Sequence, residues 1–107
     1  MSEKSAKRRM LEEGLATDPH DTFLRYGLAM QCLREGDTTE GRERLLTLIA
    51  DHPHDQVAAH QQLGQSFLET EEWDQAAQFL KAGIALAQKV GNLHAAAEMQ
   101  GFLESLP

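Results

Sequence analysis

This 107-residue chain has little cysteine, few basic side chains in its second half and no long hydrophobic run, and each shortage closes off a class of protein. Its one cysteine, Cys32, cannot form an internal disulfide and fits a reducing compartment, so a cytoplasmic setting is expected. Cys32 falls on the apolar side of its helical pattern, where a thiol serves as a small core residue rather than a reactive group. No apolar run approaches the roughly 18 residues of a membrane-spanning helix. The basic start, through Arg9, has no apolar stretch behind it, so a secretory signal is not expected either. Strand-like alternation and low-complexity linkers are also missing. At this length the chain reads as one soluble domain with little core to spare.

The net charge of −7 is unevenly distributed. Residues 1–50 carry 8 basic and 9 acidic side chains, whereas residues 51–107 carry 2 and 8. An acidic chain repels nucleic acid on average, so no nucleic-acid partner is expected. Lys4, Lys7, Arg8 and Arg9 form a basic patch on the first helix. It reads as a solvated face, or as a surface able to meet an acidic region such as residues 69–74 of a second copy.

What the chain does have is repetition. Lys7, Gly41 and Ala76 open three copies of a pattern that continues through Leu11, Leu45 and Leu80, then Gly14, Leu48 and Gly83, at a period of 34 to 35 residues. Two copies end in Pro-His-Asp, at 19–21 and 53–55. Between copies, Leu28-Ala29-x-x-Cys32 is matched by Leu63-Gly64-x-x-Phe67. A period of this length marks stacked helix pairs, none able to bury its apolar face without its neighbours.

Six helices are expected, at about 2–17, 22–34, 38–51, 56–69, 72–89 and 93–105. On the first, Ala6, Met10, Leu11 and Leu15 form the apolar side; on the fifth the set is Trp73, Ala76, Ala77, Leu80, Ile84 and Leu86. The last carries Met99, Phe102, Leu103 and Leu106 at i, i+3, i+4 and i+7. Proline disfavours helix in the residue before it, so Pro19 and Pro53 mark ends. Asp21, Asp55 and Thr70 are placed to cap the helices that follow them, and Asp37-x-x-Glu40 has capping-box spacing. Gly36 can take the left-handed conformation that closes a helix.

At Leu63-Gly64-x-x-Phe67, Ala76-x-x-x-Leu80 and the helix-ending prolines, the chain resembles the tetratricopeptide repeat family, in particular its small stand-alone bacterial members. The resemblance implies an all-α fold, a right-handed superhelix of antiparallel helix pairs. Its parts would be a half repeat at 2–19, repeats at 22–55 and 57–90, and a capping helix at 92–106. Gly64 would allow close approach of the paired helix, Ala76 would sit at the crossing, and Leu80 would pack toward the following unit. The first repeat departs from the pattern at Ala29, Cys32 and Gly41. Glu71 stands where the family usually turns on glycine.

The resemblance also implies a function: binding a peptide or helix in a concave groove lined by the first helix of each repeat. By register that lining is Phe23, Tyr26, Met30, Leu33 and Arg34, then Ala58, Gln61, Gln62, Gln65, Leu68 and Glu69. Arg34 is the only basic residue among them, which excludes the family's carboxylate-gripping subset. Tyr26, Met30 and Leu33, at i, i+4 and i+7, make a stripe suited to an incoming helix or a second copy. An unidentified protein partner and homodimerisation through the groove are therefore the two expectations.

No catalytic residues are expected: the chain has no Gly-rich phosphate loop, no HExxH and no nucleophile paired with an evident base. Glu69, Glu71, Glu72 and Asp74 read as a solvated turn. No cofactor is implied. His52, His54, Asp55 and His60 lack the spacing of a four-ligand metal set, and Pro53-His54-Asp55 repeats Pro19-His20-Asp21, which assigns it to turn chemistry.

Overall fold

The computed structural model describes residues 4–107, and all regular structure among them is helical. The elements are α1 (Ala6–Thr17), α2 (Thr22–Arg34), α3 (Thr38–Asp51), α4 (Val57–Glu69), α5 (Trp73–Val90) and α6 (Leu93–Glu104). α2 and α3 have the bounds their patterns predict. The expected start of α1 at residue 2 lies outside the described residues, and Lys4 and Ser5 precede the helix. Packing divides the chain into two compact units, one through Ala50 and one from Asp51, so that each contains three helices.

In the first unit, α2 and α3 cross where Gly41 faces Leu33. A Cβ on Gly41 would lie 2.6 Å from Leu33 Cδ2 and 3.1 Å from the Ala29 carbonyl oxygen, so only glycine fits without movement. α1 packs on α2 through Gly14 against Leu24 and Leu11 against Gly27. Leu28, Ala29, Cys32, Leu45 and Leu48 are buried. Within the α1 apolar set the pattern is only half right: Leu11 and Leu15 are partly buried, but Ala6 is exposed and Met10 is 69% exposed.

The second unit makes the equivalent crossing with the roles exchanged. Positions 29 and 64, and 41 and 76, are each 35 apart; Ala29 and Gly41 in one pair become Gly64 and Ala76 in the other. Consequently Gly41 accepts a leucine from the first helix of its pair, whereas Gly64 accepts Leu80 from the second, with Leu80 Cδ2 2.6 Å from the position of a Cβ. Leu80 therefore packs onto Gly64 of its own pair. Phe67 and Phe79 stack at 5.7 Å with rings 9° from parallel, a second link between α4 and α5. Val57, Leu80, Ala87, Ala95, Ala96 and Met99 form the apolar cluster that α6 completes.

Three helices end in the same turn. The amide of Asp37, two residues past the cap that closes α2, bonds Cys32 O at 2.9 Å, that of Glu72 bonds Phe67 O at 2.9 Å, and that of Asn92 bonds Ala87 O at 2.8 Å. This closure needs a left-handed residue before the bonded amide, supplied by Gly36 (φ 83°), Glu71 (φ 58°) and Gly91 (φ 80°). Glu71, where the family pattern expects glycine, adopts the glycine conformation.

Helix starts divide the expectations. Asp21 Oδ1 accepts from Leu24 N at 2.9 Å, as its position predicts. Asp55 does not cap α4: Gln56 holds the cap position and makes no side-chain bond to the helix. The reason is register. The two Pro-His-Asp motifs are 34 residues apart, but Thr22 and Val57, the first residues of α2 and α4, are 35 apart, so Asp55 comes one residue too early. Thr70 caps the end of α4 instead of the start of α5, its hydroxyl donating to Ser66 O and Phe67 O. At α3, Glu40 N lies 3.4 Å from Asp37 Oδ1, while the Glu40 carboxylate is drawn away to Arg8 and Arg44, so the capping box is not closed.

Candidate partner-binding surface

The eleven expected groove residues fall five on α2 and six on α4. Because α2 gives its most apolar edge to α1 and α3, little is left outside. Phe23 is 82% exposed, the largest exposure of a big apolar side chain among the described residues. Tyr26 and Met30 are partly buried, and Arg34 is exposed. Leu33 belongs to the α2–α3 crossing, held against Gly41, which removes it from the stripe. On α4, Gln61, Gln62 and Gln65 are partly buried and Ala58 and Glu69 are exposed. Leu68 packs against the apolar cluster of its unit, so its bulk also serves the interior. The available chemistry is thus one aromatic ring with a thioether and a phenol on α2, and a row of amides on α4.

A buried ionic cluster in the first unit was not legible from the basic patch. Arg8 is 3% exposed and is not part of a solvated face. One terminal nitrogen lies 2.9 Å from both Asp37 Oδ2 and Glu40 Oε1, and the other 3.6 Å from Glu35 Oε1. Glu35 also accepts from Ser5 Oγ and, at 2.8 Å, from Gln31 Nε2. Glu40 accepts from Arg44 Nε at 2.8 Å and faces Cys32 Sγ at 3.5 Å. The signal was present: Arg8 shares its helix edge with Leu11 and Leu15, at i+3 and i+7, and three carboxylates cluster in the α2–α3 turn.

These neighbours set the titration of the cluster. The Arg44 guanidinium, with help from Cys32 and Arg8, holds the Glu40 carboxyl down at about 2. The Ser5 hydroxyl, then Gln31, lowers Glu35. The Asp37 carboxylate raises Arg8 against the cost of burial. Burial and then Glu40 push the Cys32 thiol up to about 11, so it stays protonated near neutral pH and is a poor nucleophile. The cluster ties α1 to the α2–α3 turn by opposed charge, and its one carboxylate–thiol contact, Glu40 with Cys32, sets a weakened base against a buried thiol held protonated. Arg8 Nε and Glu35 Oε1 are buried without a hydrogen-bond partner, a cost borne by this linkage.

His60, one of the candidate ligands, places Nδ1 2.8 Å from Gln56 O, and its Cβ lies against Gly83. Among the described residues no three His, Cys, Asp or Glu side chains converge as a metal-binding group. No described helix is long and apolar enough to cross a membrane.

Comparison with known proteins agrees with this geometry. No curated protein matches the sequence. The solution structure of protein BPP2914 from Bordetella parapertussis matches with a TM-score of 0.83 at 24% identity, over 95% of this chain and 88% of that one. The likeness is one of fold. A family profile described as tetratricopeptide repeat matches residues 2–82. With its paired helices, its 35-residue register of small crossing residues and this match, the chain belongs to the tetratricopeptide repeat family.

Proposed function

We propose that this protein is an interaction module that binds a peptide or helix of another protein through the outward edge of α2. The family's fold is generally a non-catalytic one used for protein contact, which supports this reading. The observation that carries the reading is Phe23: a large aromatic side chain 82% exposed at the start of α2, one turn from the partly buried Tyr26 and two from Met30. Aromatic anchors of this kind dominate the energetics of protein contacts. The amides of Gln61, Gln62 and Gln65 offer donors and acceptors that suit a polar backbone better than a charged terminus. Arg34, exposed at the end of α2, would stand at the rim. A cytoplasmic setting fits the protonated, buried Cys32, and the net charge of −7 argues against nucleic acid as partner.

The second reading is that the same edge of α2 joins two copies. Phe23→Asp and Met30→Asp separate the cases. Circular dichroism should show both variants helical, since neither side chain is fully buried. Sedimentation then reports self-association, and affinity capture from native lysate reports foreign partners. Loss of captured partners in both variants with an unchanged sedimentation coefficient supports the peptide-binding reading. Loss of self-association supports the homodimer. Variants that stay folded with partners and sedimentation unchanged would remove α2 as the binding surface.

A further inference from the structure

The one side chain that α1 buries is charged. Among its residues only Arg8 is buried. Leu11 and Leu15 are half-buried, and the far side of the helix is open, with Met10 69% exposed. Apolar contact with α2 is correspondingly thin: Leu24 Cδ1 lies 3.1 Å from where a Cβ on Gly14 would be, and Leu11 Cδ2 3.4 Å from the same point on Gly27. A twelve-residue helix is marginal by itself in water, so it depends on what holds it. The specific hold is an ionic latch, Arg8 on Glu35, Asp37 and Glu40, closed by Ser5 on Glu35.

The link from α1 to α2 is half-way open already. Residues 18–21 join Thr17 to Thr22, and the first three of them are exposed. Asp18 is extended, at φ −134° and ψ 81°, and so is Asp21, at φ −65° and ψ 110°. Pro19 has no amide to donate and favours extended backbone at Asp18. The bond that folds the link, Asp21 N to Asp18 O, is long at 3.3 Å. Straightening the link gives up that bond and leaves both helices whole, because the Asp21 cap on Leu24 N lies within α2 and its own start.

We propose that α1 is an exchangeable arm: it leaves its own α2 and docks at the same place on a second copy, which returns its own α1, so that two chains form a domain-swapped dimer. The dock selects its occupant. It needs an arginine for the three carboxylates, leucines three and seven residues later, and a glycine at the sixth, where Leu24 presses in. Arg8, Leu11, Gly14 and Leu15 of a second copy supply that set at that spacing. Exchange keeps every contact of the closed chain, so the balance rests on the effective concentration of the tethered helix, on the order of 1 mM for a short link. The wild type therefore swaps only as its concentration nears that value. Phe23 takes no part, so the exchange is independent of peptide binding on the outward edge of α2.

Reversing charge on the two sides of the latch tests this in the full chain, with Phe23→Asp in every sample to silence the outward edge of α2. One variant is Arg8→Glu; the other is Glu35→Lys with Asp37→Lys. Alone, each sets like charges together, so hydrogen exchange should show α1 unprotected and α2 and α3 still protected. In a mixed swapped dimer the reversed α1 meets the reversed turn and the unchanged α1 meets the unchanged turn, so both latches close. At about 0.1 mM, tenfold below the concentration at which the wild type swaps, an equimolar mixture should sediment as a dimer with α1 protected again. A mixture that stays monomeric overturns the proposal, and so does a dimer in which α1 remains unprotected. Should either variant also lose protection in α2 and α3, deletion of residues 18–20 decides. It joins the helices through one residue, fewer than the two that an antiparallel helix pair needs, so α1 can dock only on another copy. That chain should sediment as a dimer with wild-type helix content, and a monomer or an unfolded chain overturns the proposal.

Discussion

Gly83 shows how much one missing side chain can hold together. A Cβ at this position would lie 2.5 Å from Met99 Sδ and 2.9 Å from His60 Cβ, so α4, α5 and α6 all meet there. Gly83→Ala should lose about 1–3 kcal/mol in denaturant unfolding, the usual range for overpacking, despite alanine's better helix propensity. Gly101→Ala is the control: with nothing near its Cβ it should gain up to about 1 kcal/mol. Glu71 provides a third case. A side chain in the left-handed region costs roughly 1–2 kcal/mol, and replacing it with glycine returns some of that to unfolded-chain entropy. Glu71→Gly should therefore raise stability by about 0.5–1 kcal/mol, and a lower melting temperature would show that the carboxylate contributes more than the strain removes.

At the scale of elements, α1 is attached by charge as much as by apolar contact. Arg8→Met should lower stability by about 1–3 kcal/mol, less than a fully buried pair would give, because the carboxylates keep some solvent contact. Hydrogen exchange should locate the loss first in α1. The same cluster predicts a pH response. Glu40 titrates at about 2 in the folded chain against an ordinary 4.5, so its contribution is present above about 4.5 and disappears as pH falls toward 2. The wild type should lose stability across that interval, and Glu40→Gln, already less stable at neutral pH, should lose less of it. Melting curves at intervals from pH 6 to about 2 would record the difference, and parallel pH dependences would remove Glu40 from the account.

For the molecule as a whole, the division into two packed units suggests how damage spreads. Leu63 and Leu80 are fully buried in the second unit, and Leu45 and Leu48 in the first. Leu80→Ala should cost about 2–5 kcal/mol. In a chain stabilised by nearest-neighbour contacts, that loss should appear as faster amide exchange in α4–α6 before α2 and α3. Uniform acceleration along the chain would mean that the repeats unfold as one cooperative block.

The helices, their order and most of the core were fixed by local rules that a sequence carries openly. Apolar spacing is set by the helix period, prolines and Gly36 mark ends, and small residues recur 35 apart at positions 29, 41, 64 and 76. Side-chain direction was the harder matter, because helix edges are about 100° apart and a half-buried residue can face either neighbour or solvent. Leu33 reads as a groove residue until Gly41 is seen beneath it; Met10 reads as core and is exposed; Arg8 reads as surface and is buried. A one-residue difference between motif and helix register was enough to take Asp55 away from the cap that Asp21 keeps. Local sequence thus determined which elements form. Only the packing of one helix on another decided which edges remain for a partner, because burial is a property of pairs of helices and not of either pattern alone.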